Sequence, residues 1–291
     1  MRAALQVART MLATPLGEPG SGRHRYGAAM TFYNAGLIDA LVLEVYRICA
    51  NLDAEDPGAI LAARGLPAPL AAPGSPAAII AALAEAIDRY LGTLPGPGVA
   101  EVRAGLGALR PFAPQVPGSG SGPNAVVQAH LQTALDALEA THPALAAAIA
   151  EAAPHLGWIT YDLYPRALIG DAFATGHAYA SIAGEAGAIQ ARDYDLGLFL
   201  IAPHVLYRDH AHAAPELYVP LTGPHGWRFG PGLPLTTKPA HEPVWNDPHD
   251  PHATKVGAVP FLAVFGWTRD VNQAAYVIAA EDWAVLEARR I

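Results

Sequence analysis

The spacing of apolar residues changes at Gly157, and this change limits the fold classes open to the chain. Before it, apolar residues recur every three or four positions in residues 37–49 and 79–91, a spacing that predicts amphipathic helices. After it, short β-type runs such as residues 196–201 and 260–267 are separated by turns rich in Gly, Pro, Asp and His. Short strands at close spacing predict a sandwich or barrel. We therefore predict an α+β fold with a C-terminal β-barrel preceded by a helical N-terminal region.

One segment between the helical stretches has the composition of a linker. Residues 111–123 read PFAPQVPGSGSGP, in which glycine and serine supply flexibility and proline blocks regular structure. We predict a helical N-terminal region over residues 1–115, a linker over 116–123, helices packing on the barrel over 124–157, and the barrel with its site over 158–291. Because the first region carries apolar stripes, our hypothesis is that it caps the barrel or forms a dimer surface.

Charge and cysteine content exclude several classes of partner. The net charge is −8 and no cluster of Lys and Arg is present, so nucleic acid is not an expected partner. The single cysteine excludes an intrachain disulfide and fits a reducing compartment. No run reaches the roughly 18 apolar residues needed to span a bilayer. We expect a cytoplasmic protein with a small-molecule substrate, no membrane partner and a possible homodimer.

A polar set stands between apolar runs in the predicted barrel. His210, His212, Glu216 and Tyr218 all have even numbers, so a single strand would point all four to one face. Imidazoles and a carboxylate gathered in this way are typical of a metal site. We expect a later histidine to complete the set, and favour His252 over its neighbour His249 because it lies closer to the strand at 260–267.

Three imidazoles and one carboxylate suit a divalent transition metal ion, which we leave open among Fe(II), Zn, Mn, Ni and Co. A structural zinc site rich in sulfur is excluded because the chain has one cysteine. Four protein ligands leave room for a substrate on an ion that takes five or six, which favours a catalytic site.

The spacing His-x-His-x3-Glu-x6-Gly, ending at Gly223, is similar to the first motif of the cupin superfamily. The glycine that usually precedes this motif is His204 here, and only His252 represents the second motif. The resemblance implies the cupin β-barrel, a double-stranded β-helix.

The flanking tyrosines narrow the resemblance. Tyr207-x2-His210-x-His212-x3-Glu216-x-Tyr218 resembles the dimethylsulfoniopropionate lyases of the cupin type, over about residues 155–285. That family implies a β-elimination in which a metal binds the substrate carboxylate, a tyrosine abstracts the α-proton, and dimethyl sulfide leaves acrylate behind.

Strand parity distinguishes the two tyrosines. Tyr218 shares the face of the ligands and is our candidate base, whereas Tyr207 has the opposite parity and receives a supporting role unless a bulge re-aims it. Aromatic rings could hold the sulfonium methyl groups by cation–π contact. The candidates for that contact are Trp158, Tyr161, Trp227, Trp245 and Trp267.

Two other functions remain open at this point. One is a cupin metalloenzyme of another class, such as an Fe(II) dioxygenase or an isomerase. The other is a non-catalytic, metal-bearing cupin that senses a small molecule. The tyrosine pair favours the lyase, because ordinary oxygenases do not need a phenol base.

Overall fold

The structure is a computed structural model that describes residues 2–12, 14–66, 76–110, 112, 114 and 123–291. Within these residues the chain divides into two compact units, Met1–Ser75 and Pro76–Ile291. The predicted linker at 116–123 lies outside the described residues except for Pro123. The predicted segment boundaries at residues 115, 123 and 157 do not coincide with this division and stay a prediction.

The first unit is helical. A carboxylate cap fixes where its third helix begins, because the Asp39 side chain accepts a hydrogen bond from the backbone N–H of Val42 at 2.8 Å. This helix buries Val42 and Val45, and the lone cysteine, Cys49, is buried just after it. The helices are α1 (Arg2–Leu12), α2 (Ser21–Asn34), α3 (Ala40–Ile48) and α4 (Pro57–Ala63).

The described residues of the second unit form four longer α-helices, which match the predicted helical segments, and three short ones. Asn124 caps the third of the long helices, since its Oδ1 accepts from the N–H groups of Val126 and Val127 at 3.0 and 3.3 Å. The helices are α5 (Pro76–Leu91), α6 (Val99–Ala108), α7 (Ala125–Glu139), α8 (Pro143–Ala152), α9 (Arg166–Ile169), α10 (Asp171–Gly176) and α11 (Trp283–Ala288). No described helix combines the length and apolar character needed to cross a membrane.

Where the structure describes this unit, its strands form two sheets, and all pairs of strands are antiparallel except β1–β2. The strand order is β2-β1-β3-β10-β5-β8 in the six-stranded sheet and β11-β4-β9-β6-β7 in the five-stranded sheet. The strands are β1 (His177–Gly184), β2 (Ile189–Gln190), β3 (Asp195–Ile201), β4 (Leu206–Ala211), β5 (Glu216–Pro220), β6 (His225–Arg228), β7 (Thr236–Lys238), β8 (Val244–Asn246), β9 (His252–Lys255), β10 (Phe261–Trp267) and β11 (Tyr276–Val277).

The six-stranded sheet is buried on both faces. Leu196, Leu198 and Leu200 of β3 belong to the apolar cluster that includes residues of helices α5 to α8. Phe199 and Ile201 belong to a second cluster, to which strands of both sheets contribute. Double burial explains why β3 reads as a nearly continuous apolar run. The predicted α+β fold with a C-terminal β-barrel is confirmed.

Candidate active site

The polar set of the sequence lies where the chain passes from one sheet to the other. His210 is in β4 of the five-stranded sheet, whereas Glu216 opens β5 of the six-stranded sheet. Between them the chain leaves strand geometry from His212 to Pro215, and Pro215 has no N–H to continue a ladder. The prediction that one strand carries the whole set is therefore wrong. The side chains nonetheless meet, because both strands belong to one barrel.

Three buried imidazoles form a group that could hold a metal ion. The candidate ligand nitrogens of His210, His212 and His252 all lie within 4.8 Å of one another. His252 opens β9 and pairs with His210 of β4. His249 lies in the exposed turn before β9 and is not part of this group.

Hydrogen bonds set the orientation of all three rings. Each Nδ1 lies within hydrogen-bond distance of a backbone carbonyl, to which it donates in the neutral ring, so each Nε2 keeps its lone pair. The distances are 2.8 Å from His210 to Arg208, 2.7 Å from His212 to Ala214 and 2.9 Å from His252 to Asp250. This tautomer leaves Nε2 of each ring able to bind a metal ion.

Glu216 completes the group. One of its oxygens, Oε2, lies 3.1 Å from Nε2 of His212 and 3.3 Å from Nε2 of His252. The same oxygen accepts from the Asn246 amide at 3.1 Å, and Oε1 accepts from the Trp267 indole at 2.7 Å. Burial opposes ionisation, but the two imidazoles outweigh it and hold the pKa of Glu216 well below its usual range.

The four side chains fit a divalent ion. Nε2 of His252 is buried, and among the described residues its contact at 3.3 Å with Oε2 of Glu216 is not a hydrogen bond, so its lone pair is free for an ion. Burial also holds the pKa of His210 well below its usual value, so this ring is neutral at physiological pH. The neutral ring of His210, two further imidazoles and a carboxylate around one point supply the donor set that Fe(II), Zn, Mn, Ni or Co accepts.

A β-bulge places Tyr207 beside the ligand group. The β4–β9 register shifts between Tyr207 and His210, so two residues of β4 lie opposite one residue of β9. The Tyr207 ring consequently stacks on the His210 ring, with centroids 3.7 Å apart. Its hydroxyl lies 2.7 Å from that of Tyr164. The opposite parity expected for an ideal strand is therefore not observed, and the bulge is the reason.

Tyr218 reaches the same region from β5. It follows Glu216 by two residues on the same strand face, as predicted, and its hydroxyl faces the Glu216 carboxylate. Its ring is stacked near that of Phe199, with centroids 6.0 Å apart. Burial raises the pKa of both Tyr207 and Tyr218 well above the usual phenol value, and the Glu216 charge adds to the effect.

A cavity of about 270 Å³ is lined by Glu216 and both tyrosines. Of the aromatic residues considered for sulfonium contact, Tyr161 and Trp267 line it. The other three, Trp158, Trp227 and Trp245, do not. Sequence reasoning missed Tyr164, His177 and Asp195, which also line the cavity. They come from separate elements and share no motif spacing with the ligands.

A family model described as dimethylsulfoniopropionate lyase matches residues 118–263, half of the chain. The chain belongs to the dimethylsulfoniopropionate lyase family. The match contains every residue of the ligand group and both tyrosines. The family prediction, its cupin type and the lyase class are thereby confirmed.

Solved structures show the same fold. The DMSP lyase DddQ from Ruegeria pomeroyi DSS-3 is 20% identical and aligns with a TM-score of 0.52, over 69% of this chain and 96% of that one. A chain from the crystal structures of the DMSP lyases RdDddP and RnDddQII is 18% identical, with a TM-score of 0.51, over 70% of this chain and 100% of that one. No curated protein is detectably similar to the chain in sequence.

Proposed function

We propose that this member of the family cleaves dimethylsulfoniopropionate to acrylate and dimethyl sulfide by β-elimination. The observation that carries the proposal is that two phenols, Tyr207 and Tyr218, line the same cavity as Glu216, the carboxylate of the ligand group. None of the described residues that line the cavity is Lys or Arg. A cationic substrate centre therefore meets no like charge there.

We assign His210, His212, Glu216 and His252 as the ligands of one divalent transition metal ion. Bound there, the ion would bind the substrate carboxylate and stabilise the negative charge that develops at the α-carbon. The protein holds the ligand atoms in place through the three Nδ1 hydrogen bonds and through the Trp267 and Asn246 contacts to Glu216.

Tyr218 is assigned as the general base. Its phenolate oxygen takes the proton from the α-carbon, the electrons of that C–H bond form the new double bond, and the bond from the β-carbon to sulfur breaks. Dimethyl sulfide leaves with the electron pair of that bond. Burial keeps the phenol protonated in the metal-free protein, and a cation at the adjacent Glu216 favours the phenolate.

Tyr207 has the supporting role. Its ring stacks between His210 and Phe173, with centroid distances of 3.7 and 3.9 Å, and so holds the His210 imidazole in position. The hydroxyl pair with Tyr164 fixes the orientation of the phenol.

The cytoplasmic location and the homodimer stay predictions.

The product assay tests this proposal. Protein loaded separately with Fe(II), Zn, Mn, Ni or Co is incubated with dimethylsulfoniopropionate, and headspace dimethyl sulfide and dissolved acrylate are quantified. We expect equal molar amounts of both with at least one metal, and neither from protein stripped with a chelator. Acrylate without sulfide, or no product with any of the five metals, would contradict the proposal and favour another cupin chemistry.

A further inference from the structure

A carboxylate lies on the cavity wall two strands away from the ligand group. Asp195 opens β3 and pairs across the sheet with Trp267 of β10, which in turn pairs with Glu216 of β5. Directly paired residues of neighbouring strands point to the same face, so all three side chains face the barrel interior. Each of them lines the cavity.

Asp195 has hydrogen-bonding capacity that the described residues do not use. Its Oδ2 accepts from the Ser181 hydroxyl at 3.1 Å, whereas its Oδ1 is buried and has no partner among the described residues. Buried carboxylates ordinarily have a cationic partner or several donors. Burial raises the pKa of Asp195 to about 7, which is the behaviour of a carboxyl that lacks a cation in the unliganded protein.

The surroundings of Asp195 suit a cation with an apolar shell. Tyr179 and Phe265, which line the cavity, have ring centroids 6.3 Å apart, and Trp267 lies between Asp195 and Glu216 in the strand order. Aromatic faces attract alkylated onium groups. The Asp195 carboxylate adds a negative charge, which the neutral rings lack.

We propose that Asp195 is the residue that selects the cationic end of the substrate by pairing with its sulfonium group. The inference rests on the proposed function, because the ligand group must hold the substrate carboxylate. Adjacent strands lie about 4.8 Å apart, so Asp195 and Glu216 are separated by roughly 10 Å of backbone spacing. A zwitterion with its charges about 5 Å apart, by ordinary bond lengths, is therefore short enough to lie between the ligand group and Asp195 with its sulfonium end at Asp195.

Two non-reacting ligands separate charge recognition from shape. In the first, a trimethylammonium group replaces the dimethylsulfonium group; in the second, an uncharged tert-butyl group takes the same place. The dissociation constants of both are measured by calorimetric titration of the metal-loaded protein. We expect the parent protein to bind the cation at least about tenfold more tightly than its uncharged counterpart, as for a desolvated charge pair.

The Asp195→Asn variant keeps the shape of the side chain and removes the charge. We expect it to lose the preference for the cation while its affinity for the uncharged ligand stays within about twofold. Asp136→Asn, which removes an exposed carboxylate from α7, is the matched control and should keep the full preference. If Asp195→Asn keeps the preference, or loses binding of both ligands equally, the proposal is overturned.

The pH dependence supplies a second readout. Among the described residues, Tyr179 and Tyr194 are titratable groups that interact with Asp195, and burial raises the pKa of Tyr179 to about 12 and that of Tyr194 further. Neither titrates near neutrality. The ratio of the two affinities should therefore rise as the pH increases through about 7 in the parent protein and stay flat in Asp195→Asn. A flat ratio in the parent protein would contradict the proposal.

Failure of the role proposed for Asp195 can be distinguished from failure of the proposed function. If no sulfide is released but the preference depends on Asp195, the cavity recognises onium carboxylates and the elimination is wrong. If sulfide is released and Asp195→Asn keeps the preference and the Michaelis constant, the elimination stands and the role of Asp195 is wrong.

Discussion

At the residue scale, the Nδ1 hydrogen bonds decide which nitrogens of the histidines are available. His210, His212 and His252 each present Nε2 to the same point, whereas His249 is exposed and its Nδ1 lies 3.4 Å from the Tyr276 hydroxyl. Proximity in sequence to the strand at 260–267, which is β10, favoured His252, and the structure places that residue in the group. The tautomers could not be predicted, because the carbonyl partners are backbone atoms in the bulge of β4 and in the loops before β5 and β9.

Metal content tests this assignment directly. After loading and dialysis, the parent protein should retain about one ion per chain. We expect His252→Ala to lower metal affinity by at least about 100-fold. Loss of a residue that only hydrogen-bonds to a ligand typically lowers metal affinity by about 10–100-fold, and this variant loses a ligand itself. His249→Ala should retain the ion. Elemental analysis of the two variants would contradict the assignment if the losses were reversed.

His204 and Tyr207 show where residue-level prediction stops. His204, which stands at the usual glycine of the motif, has a φ of 65°, a left-handed conformation that glycine adopts more readily. His204 therefore adopts a backbone conformation that is readily open to the usual glycine of the motif. The parity of Tyr207 depends on a bulge that no local pattern marks, so its place in the site could only be left open.

At the element scale, α6 begins at a position that requires glycine. Gly98 precedes the helix with a φ of 76°, and a Cβ there would lie 1.9 Å from Cε3 of Trp245. We expect Gly98→Ala to lower the free energy of unfolding by about 3 kcal/mol, through backbone strain and overpacking. Gly107→Ala is the control, because no atom lies within 4 Å of its Cβ position.

The control substitution should raise stability slightly, by up to about 1 kcal/mol, because alanine favours helix. Urea denaturation of the two variants measures both changes. Equal effects would show that α6 and Trp245 are not packed as described.

Strand β6 begins with a buried histidine that acts as a hydrogen-bond acceptor. Nδ1 of His225 accepts from the N–H of Gly257 at 3.1 Å, so protonation would break this bond. Burial lowers the pKa of His225 from 6.5 to about 4. Between those values the unfolded chain binds the proton and the folded chain does not, so stability falls as the pH decreases through this window.

The His225→Asn variant removes this dependence. The Asn Oδ1 can take the place of Nδ1 and accept from Gly257. We expect the loss of unfolding free energy between pH 6.5 and 4 to be smaller than in the parent protein by about 3 kcal/mol. Denaturant titrations at several pH values, on metal-free protein, measure the difference. Parallel pH profiles for variant and parent would show that His225 is not the buried neutral group described.

At the scale of the whole molecule, local periodicity predicts the helices and strands, but it does not predict how the strands pair. The long helices α5 to α8 and strands such as β3 and β10 follow from apolar spacing, because each buries a face along its length. The switch between sheets at His212 to Pro215 was missed, because alternation of residues continues through the turn. Asn246, Trp267 and Asp195 reach the site only through the register of β8, β10 and β3, which is a long-range property.

The most direct test of the central claim compares dimethyl sulfide release by the parent protein, Tyr218→Phe and Tyr207→Phe, each at equal metal content. General base catalysis by a side chain contributes about 10²–10⁴-fold. We predict that Tyr218→Phe lowers the turnover number by at least about 100-fold with metal bound, and that Tyr207→Phe retains more activity. A metal-loaded Tyr218→Phe protein that releases sulfide at the parent rate would contradict the assignment of Tyr218 as the base.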